Sequence, residues 1–222
     1  MVHAVTFSSA RAGADRSGWL DPYREPAARI IGEAVGSTFA WHRLSVLTDG
    51  IGNRLSGTPA LDRAIAWASS EMTRDGLENV HTEKVMVPKW VRGAESADIV
   101  SPARHQIVML GLGDSVATPP DGVQADVLVV HTFEELDAKA AQARGRIVLF
   151  NVPFTTYGET VRFRSGGPSR AARLGAVAML IRSVGPSGLR TPHTGALQYA
   201  NDTQKIPAAA IASEDADRIQ RM

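Results

Sequence analysis

The chain has 222 residues, of which 44% are hydrophobic and 21% are charged, and this composition predicts a packed core and excludes a disordered protein. Its 24 lysines and arginines balance 23 aspartates and glutamates, so neither nucleic acid nor a membrane surface is expected among its partners. The chain contains no cysteine, which excludes disulfides, thiolate metal sites and a cysteine nucleophile.

The first third of the chain predicts helices and a glycine-rich loop. Residues 1–18 lack the continuous apolar core of a signal peptide, and we interpret them as a flexible tail. Apolar side chains recur every three or four residues over 22–35, which predicts a helix, and a second, shorter helix fits 40–47. The glycines of 48–57 then predict a loop.

A longer helix and a strand are predicted after this loop. Thr58 suits a helix cap through its hydroxyl, and Pro59 suits the first helical position. Gly76 marks the end of this helix, because glycine readily adopts the left-handed conformation that closes helices. Residues 79–87 predict a strand, and Pro88 closes it.

After Gly93 the pattern changes to short β-like runs separated by turn residues. The predicted strands cover residues 97–100, 106–110, 125–131, 146–151, 176–181 and 206–211. Two predicted helices, 133–143 and 160–174, interrupt them. Several strands are apolar throughout, which predicts burial on both faces of a sheet. Strands that alternate with helices predict a mixed α/β domain.

Short stretches along the chain match one known family in order and spacing from about residue 41 to residue 222. They are 48–58 (TDGIGNRLSGT), 75–81 (DGLENVH), 88–93 (PKWVRG), 110–113 (LGLG), 118–120 (TPP), 143–148 (ARGRIV), 180–183 (LIRS) and 192–195 (PHTG). On these stretches the chain resembles carboxypeptidase Q-like di-zinc exopeptidases of the aminopeptidase and glutamate carboxypeptidase superfamily. Agreement over that length is more specific than any single motif.

The resemblance implies an α/β fold with two parts after the tail at 1–18. Residues 19–92 would be the incomplete, helical and strand-containing start of a zinc-exopeptidase domain, and 93–222 a mixed α/β protease-associated domain. In this family the zinc ligands are His, Asp and Glu side chains that follow the inserted domain. We therefore expect no metal site and no catalytic residue in this chain, although the intact family member uses zinc.

Two residue pairs are similar to zinc-site residues of the family in residue type and spacing. His81 and Glu83 alternate along the predicted strand, so both side chains lie on one face, but the resemblance places no ligand there. Glu134 and Glu135 repeat the family's base-ligand pair, yet they fall in the first turn of a predicted helix, where carboxylates offset the helix dipole. We interpret the first pair as a solvated strand face and the second as a helix start.

His193 and Arg54 are the candidate substrate-binding residues. Apart from His81, no histidine has a carboxylate at a ligand interval, and His193 is a candidate because it lies in a turn-rich loop from which an imidazole can reach a neighbouring site. Arg54 lies in the glycine-rich loop that leads into the third helix; the preferred role of residues 54–58 is to cap and orient that helix, and Arg54 is also a candidate for the border of the substrate groove. Four arginines suit carboxylate recognition, but a solvated basic helix face is the preferred interpretation: Arg162, Arg164, Arg170 and Arg173.

The preferred hypothesis is that the intact protein is a zinc-dependent metallopeptidase, a hydrolase that cuts short peptides as an amino- or carboxypeptidase. This chain would supply the protease-associated lid that controls substrate access and would be inactive alone. The alternative is a free-standing peptide- or protein-interaction module. For its partners, we expect either a missing peptidase half or self-association of residues 19–92. The resemblance implies that the intact enzyme is secreted or periplasmic.

Overall fold

The computed structural model describes residues 18–222, so almost all of the predicted tail at 1–18 lies outside the described residues. Contacts along the chain divide it into two compact units, with the boundary between Lys89 and Trp90. We call the described residues before this boundary the helical unit and those after it the sheet unit. Their assignment to a peptidase segment and a protease-associated domain stays a prediction.

The helical unit consists of three α-helices and a π-helical turn. After a short 3-10 turn at Gly18–Leu20 come α1 (Asp21–Gly36) and α2 (Phe39–Ser45), the π-helical turn (Val46–Ile51) and α3 (Pro59–Arg74). The predicted cap of α3 is confirmed, because the hydroxyl of Thr58 accepts a hydrogen bond from the Leu61 amide at 3.3 Å.

The strand predicted over residues 79–87 is wrong, since this segment forms neither a helix nor a strand. A strand exists only where a neighbouring strand accepts and donates its backbone hydrogen bonds. The described residues of the helical unit contain no strand with which residues 79–87 can pair. Alternating side chains alone did not distinguish an unpaired segment from a strand.

Ionic contacts join α2 to α3 within the helical unit. The guanidinium of Arg43 donates to both carboxylate oxygens of Asp75, at 2.6 and 2.7 Å, and to Glu71 at 3.0 Å. Among the described residues of this unit, Ala64 alone is fully buried. The hydrophobic side chains of α1 are exposed, including Ile30, Ile31 and Val35. The helical unit therefore buries little apolar surface of its own.

The sheet unit contains seven strands in two sheets. A small antiparallel sheet pairs β1 (Ala97–Ile99) with β2 (His105–Ile107). The larger sheet has five strands in the order β3-β7-β6-β5-β4, and its strands are β3 (Met109–Gly111), β4 (Val127–Val130), β5 (Ile147–Phe150), β6 (Ala178–Arg182) and β7 (Ala208–Ile211). Strands β4 to β7 are parallel, and β3 is antiparallel to β7. The predicted α/β fold is confirmed.

The single strand predicted over 106–110 is two strands in different sheets. The chain changes sheets at Val108, whose amide donates to the carboxylate of Asp215 at 2.8 Å and whose carbonyl accepts from the Ala212 amide at 2.9 Å. These bonds replace the ladder bonds that a continuous strand would make there.

Four helices accompany the strands: α4 (Phe133–Ala138), α5 (Ala140–Ala143), α6 (Tyr157–Arg173) and α7 (Ser213–Arg221). The predicted helix 133–143 is divided at Lys139 into α4 and α5. Thr132 and Thr156 cap α4 and α6 through their hydroxyls. Helix α7 was not predicted, because it is short and mostly charged, with Ala216 and Ile219 as its apolar contacts.

Both faces of the larger sheet are covered, as its apolar strands predict. On one face Val148, Phe150 and Met179 pack with Leu136 of α4 and Phe163 of α6. On the other face, Leu149 and Ile211 pack with Ala216 of α7 and Ile107 of β2. This alternation along each strand gives the sheet unit a core on both sides of the sheet.

Candidate functional site

His193 lies in the long connection between β6 and β7 of the sheet unit. Its backbone amide donates to Ser183 Oγ at 2.8 Å, and the Ser183 hydroxyl lies 2.9 Å from its acceptor, the Ile211 carbonyl. The imidazole is exposed, and its ring centre lies 6.2 Å from that of Tyr157, with the two rings at 74°. The backbone around His193 is therefore fixed to the sheet while its ring remains free to contact a ligand.

A buried arginine lies beneath this edge of the sheet unit. The Arg164 guanidinium donates from Nη2 to the Tyr157 hydroxyl at 2.9 Å, and its Cζ lies 5.6 Å from the centre of the Tyr157 ring. Seven residues separate Tyr157 from Arg164, which places them on the same face of α6 two turns apart. Arg164 Nε and Nη1 are buried and have no hydrogen-bond partner among the described residues.

Gly195 closes the other side of the Arg164 guanidinium. A Cβ atom added at Gly195 would lie 2.5 Å from Arg164 Cζ, which is too close for a non-bonded contact. Only glycine therefore allows the backbone to approach the guanidinium this closely. The Gly113 amide donates to the Gly195 carbonyl at 2.9 Å, which holds this backbone in place. We call Tyr157, Arg164, His193 and Gly195 the arginine cluster.

The remaining arginines of α6 fit the predicted solvated face. Arg170 pairs with Asp137 at 2.5 Å and Arg173 pairs with Asp202 at 2.9 Å, both on the surface. The exposed Arg162 guanidinium lies over the ring of Phe163, with Cζ 4.9 Å from the ring centre. Arg164 differs from these three, because it is buried rather than solvated.

Arg54 lies in the helical unit, after the π-helical turn. Its Nη1 donates to the backbone carbonyls of Leu47 and Gly52. The Leu47 carbonyl lies in the turn and also accepts from the Gly52 amide at 3.0 Å, and the Gly52 carbonyl follows the turn. Arg54 therefore fastens the glycine-rich loop, and its role at a substrate groove stays a prediction.

The two pairs that imitate zinc ligands are both on the surface. His81 Nε2 and Glu83 Oε1 are 3.4 Å apart, and both side chains are mostly exposed. Glu134 and Glu135 occupy the first turn of α4, which confirms their predicted position. Within residues 18–222, no three His, Asp or Glu side chains are grouped closely enough to hold a metal ion.

His131 has a carboxylate partner that the sequence analysis missed. Its Nδ1 lies 3.0 Å from Glu135 Oε2, and its Nε2 lies 3.0 Å from Gln220 Oε1. The hydrogen bond from Lys139, opposed by burial and aided by His131, lowers the pKa of Glu135 to about 2. The four-residue spacing of His131 and Glu135 was the signal available in the sequence. It was not used, because side chains four residues apart are expected to meet only when both lie in one helix, and His131 precedes α4.

This contact belongs to a polar network at the carboxyl ends of β4, β5 and β6. Arg182 donates to the Asn151 side chain at 3.0 Å and to the Asp217 carboxylate of α7. Burial raises the pKa of Asp217, but the hydrogen bonds from Arg182 and Asn151 outweigh it and lower that pKa overall. The network joins α7 to the sheet through paired groups, which is a structural role.

A shallow concavity of about 340 Å³ lies next to α6. It is lined by Ser165, Gly166, Gln198, Tyr199, Ala200 and Asn201. The Tyr199 hydroxyl donates to the Ile206 carbonyl at 2.5 Å and accepts from the Val116 amide at 3.2 Å. The one titratable group of the lining is thus already used in the fold, and the concavity supplies no reactive group.

Every helix within residues 18–222 is too short or too polar to span a bilayer.

Comparisons with known proteins were made for the sequence and for the fold. No protein-family model matches the chain. Carboxypeptidase Q from Xenopus laevis is 44% identical over 206 residues, which cover 91% of this chain and 44% of the relative. Carboxypeptidase Q from Homo sapiens is 46% identical over 183 residues, which cover 82% of this chain and 39% of the relative.

Solved structures agree with the sequence comparison. A peptidase M28 precursor from Shewanella amazonensis matches with a TM-score of 0.86 and 34% identity, over 91% of this chain and 47% of that one. A zinc aminopeptidase from Bacillus subtilis shares the fold, with a TM-score of 0.56 and 23% identity over 82% of this chain and 40% of that one. The chain thus spans less than half the length of these proteins. The chain is a homologue of carboxypeptidase Q, and the predicted relationship is confirmed.

Proposed function

We propose that this chain is part of a zinc-dependent exopeptidase that cuts short peptides, and that the sheet unit is its protease-associated domain. The observation that carries this proposal is the identity to carboxypeptidase Q along nine tenths of the chain. The relatives carry the names of peptidases, and the chain has its origin in that group. We place the intact enzyme outside the cytoplasm, secreted or periplasmic.

In this proposal the sheet unit governs access to the active site rather than bond cleavage. A domain of this kind covers the substrate pocket, excludes water and limits which peptides enter. The sheet unit has cores on both faces of its sheet, which keep it rigid enough to form one wall of a pocket. The zincs and the general base would be supplied by residues outside this chain.

If zinc binds in the intact enzyme, it would activate a water molecule for attack on the peptide carbonyl. The described residues contribute no ligand set for it. Their proposed work is to hold and orient the peptide, which lowers the entropic part of the barrier. The exposed rings of Tyr157 and His193 are the side chains of the sheet unit that we propose for this contact.

The test is zinc titration by calorimetry, combined with hydrolysis assays on dipeptides and aminoacyl anilides. The chain alone is expected to bind no stoichiometric zinc and to turn over no substrate. A fusion to the part of Xenopus laevis carboxypeptidase Q that this chain does not match is expected to gain zinc-dependent hydrolysis. The control is the same fusion without residues 90–222, which should keep zinc but lose its preference for short peptides.

Tight zinc binding with turnover by the chain alone would contradict this proposal. So would a folded, zinc-loaded fusion that hydrolyses no peptide. Far-UV circular dichroism of each fusion confirms that a silent protein is folded.

A second candidate function is a free-standing module that binds peptide or protein without catalysis. The observation in its favour is that the sheet unit contains its own core, which a domain needs to fold separately. Peptide binding by the isolated chain, with no activity gained in the fusion, would favour this candidate over the exopeptidase.

A further inference from the structure

Arg164 is a buried cation for which residues 18–222 supply no anion. Its side chain is 7% exposed, and its Nε and Nη1 atoms have no hydrogen-bond partner. The neutral hydroxyl of Tyr157 accepts one bond from Nη2 and brings no negative charge. A guanidinium stays charged at physiological pH, and burying it without a counter-charge destabilises the free protein. A bound anion would remove this cost.

Gly195 and Tyr157 lie against two sides of the Arg164 guanidinium. Gly195 covers one side with backbone that is hydrogen-bonded to Gly113, so this side is fixed. The Tyr157 ring covers another side, and it is half exposed at the first residue of α6. Rotation of this side chain toward solvent would uncover the guanidinium without any change in the backbone.

We propose that Tyr157, Arg164 and His193 form a binding site for the carboxylate of a short peptide. The carboxylate oxygens replace the Tyr157 hydroxyl as acceptors for the guanidinium, and the planar fork of arginine matches them with two parallel bonds. The exposed His193 ring contacts the ligand at the rim. That the carboxylate belongs to a peptide rests on the proposed function, whereas the carboxylate chemistry rests on Arg164 alone.

A carboxylate fits this cluster better than a more highly charged anion. One unpaired guanidinium balances one negative charge, and the neighbouring arginines of α6 are solvated, stacked on Phe163 or paired with Asp137 and Asp202. Phosphate is therefore expected to bind more weakly than acetate at neutral pH, because burying its additional charge without a second cation costs desolvation free energy.

The experiment measures binding of small probes to the 222-residue chain by calorimetry and by the melting temperature of the sheet unit. The probes are acetate, glycylglycine, the carboxamide of glycylglycine, and phosphate, all at equal ionic strength. Acetate and glycylglycine should bind and raise the melting temperature, because a ligand that binds only the folded state stabilises it. The carboxamide should have no effect, because it lacks the charge.

Two variants with the same change on one helix separate the site from general charge effects. Arg164→Met should weaken binding of acetate and glycylglycine by about tenfold or more. Arg162→Met, at an exposed position two residues away, should bind as the wild type does. Without probe, Arg164→Met should melt at the same or a higher temperature, since it removes an unpaired buried charge. That result also shows that the variant folds.

Gly195→Ala supplies a second route to the same conclusion. The added methyl must displace the guanidinium, so carboxylate affinity should fall even though Arg164 is still present. A wild-type chain that binds no carboxylate, or equal binding by wild type and Arg164→Met, would overturn the site. Binding of acetate but not of glycylglycine would overturn the peptide as its ligand. None of these outcomes depends on zinc or hydrolysis, so this inference and the proposed function fail separately.

Discussion

The helical unit and the sheet unit use their apolar residues in opposite ways. In the sheet unit Val148, Phe150 and Ile211 are fully buried between helices and strands. In the helical unit Ile30 and Val35 remain largely exposed. The two units come from one chain of ordinary composition, so the difference lies in which partners each apolar face has. An amphipathic helix is stable when its apolar face is covered, and the sheet unit supplies the helices that cover both faces of its own sheet.

The exposed apolar side chains of α1 supply a surface for the self-association that is expected of residues 19–92. Large exposed apolar patches mark surfaces that contact another protein segment. Whether the helical unit contacts another copy or a peptidase half stays a prediction.

The largest expected difference is in amide hydrogen exchange. Amides of β5, β6 and β7 should exchange only through global unfolding, at a cost of about 5–15 kcal/mol, because these strands form the centre of the sheet. Amides of α1 should exchange through local opening at a small fraction of that cost. Exchange followed by mass spectrometry measures both at once. Equal protection of α1 and β6 would remove the distinction between the units.

A pair of matched substitutions tests the same contrast with one residue type. Ile181→Ala removes a side chain that is 0% exposed and should lower the free energy of unfolding of the sheet unit by about 2–5 kcal/mol. Ile30→Ala removes one that is 69% exposed and should change stability by less than about 0.5 kcal/mol. Urea denaturation followed by circular dichroism measures both. A large loss from Ile30→Ala would mean that the face of α1 is covered in solution.

Buried and exposed ion pairs within the sheet unit should differ more modestly. Asp215 is 1% exposed, pairs with Arg190 at 3.0 Å and accepts from the Val108 amide. Asp215→Ala should destabilise by about 2 kcal/mol, because the amide loses a charged acceptor. Asp137→Ala breaks the exposed pair with Arg170 and should cost less than about 1 kcal/mol. Equal losses in thermal or urea unfolding would show that burial does not decide the strength of these pairs.

The smallest expected effect is the contribution of Glu135 to the pH dependence of stability, because solvent screens its pair with Lys139, whose side chains are 29% and 36% exposed. The pKa of Glu135 falls from 4.5 to about 2 in the folded protein, chiefly through the Lys139 hydrogen bond. Because the folded pKa is depressed, this stabilisation is present above pH 4.5 and is lost as the pH falls toward 2. Lys139→Met should raise the pKa of Glu135 and reduce the loss in free energy of unfolding between pH 4.5 and 2.

Urea unfolding between pH 2 and 5 measures this effect, and Glu135→Gln is the matched control that removes the titrating group. If both variants lose as much stability as the wild type between pH 5 and 2, the loss is due to other carboxylates.

Local signals in the sequence located most elements of the fold. The cap at Thr58, the apolar runs of β4 and β5 and the glycines after α3 and α6 depend on neighbouring residues, and all were visible. Pairing depends on distant residues and was not visible. The segment 79–87 alternates like a strand without a partner, and Val108 divides one predicted strand because Asp215 binds its amide.

The candidate site was partly visible for the same reason. His193 was found from its turn-rich loop. Tyr157 was missed, because the predicted helix began at residue 160, whereas α6 begins at Tyr157. Arg164 is buried whereas Arg162 is solvated, because Gly195 lies against the Arg164 guanidinium. Gly195 belongs to the connection between β6 and β7, far from α6 in the sequence. A contact between residues that are far apart in the sequence leaves no local pattern.

The strand order of the larger sheet has a consequence for how the chain folds during synthesis. Strand β3 is the first of its strands to be made and β7 is the last, yet β7 is the only strand that pairs with β3 in the sheet. The ribosome must therefore release almost the whole sheet unit before β3 finds its partner. Closing so long a loop is slow, because its entropic cost precedes the contacts that repay it. Until then the backbone groups of β3 that bind β7 have no strand partner.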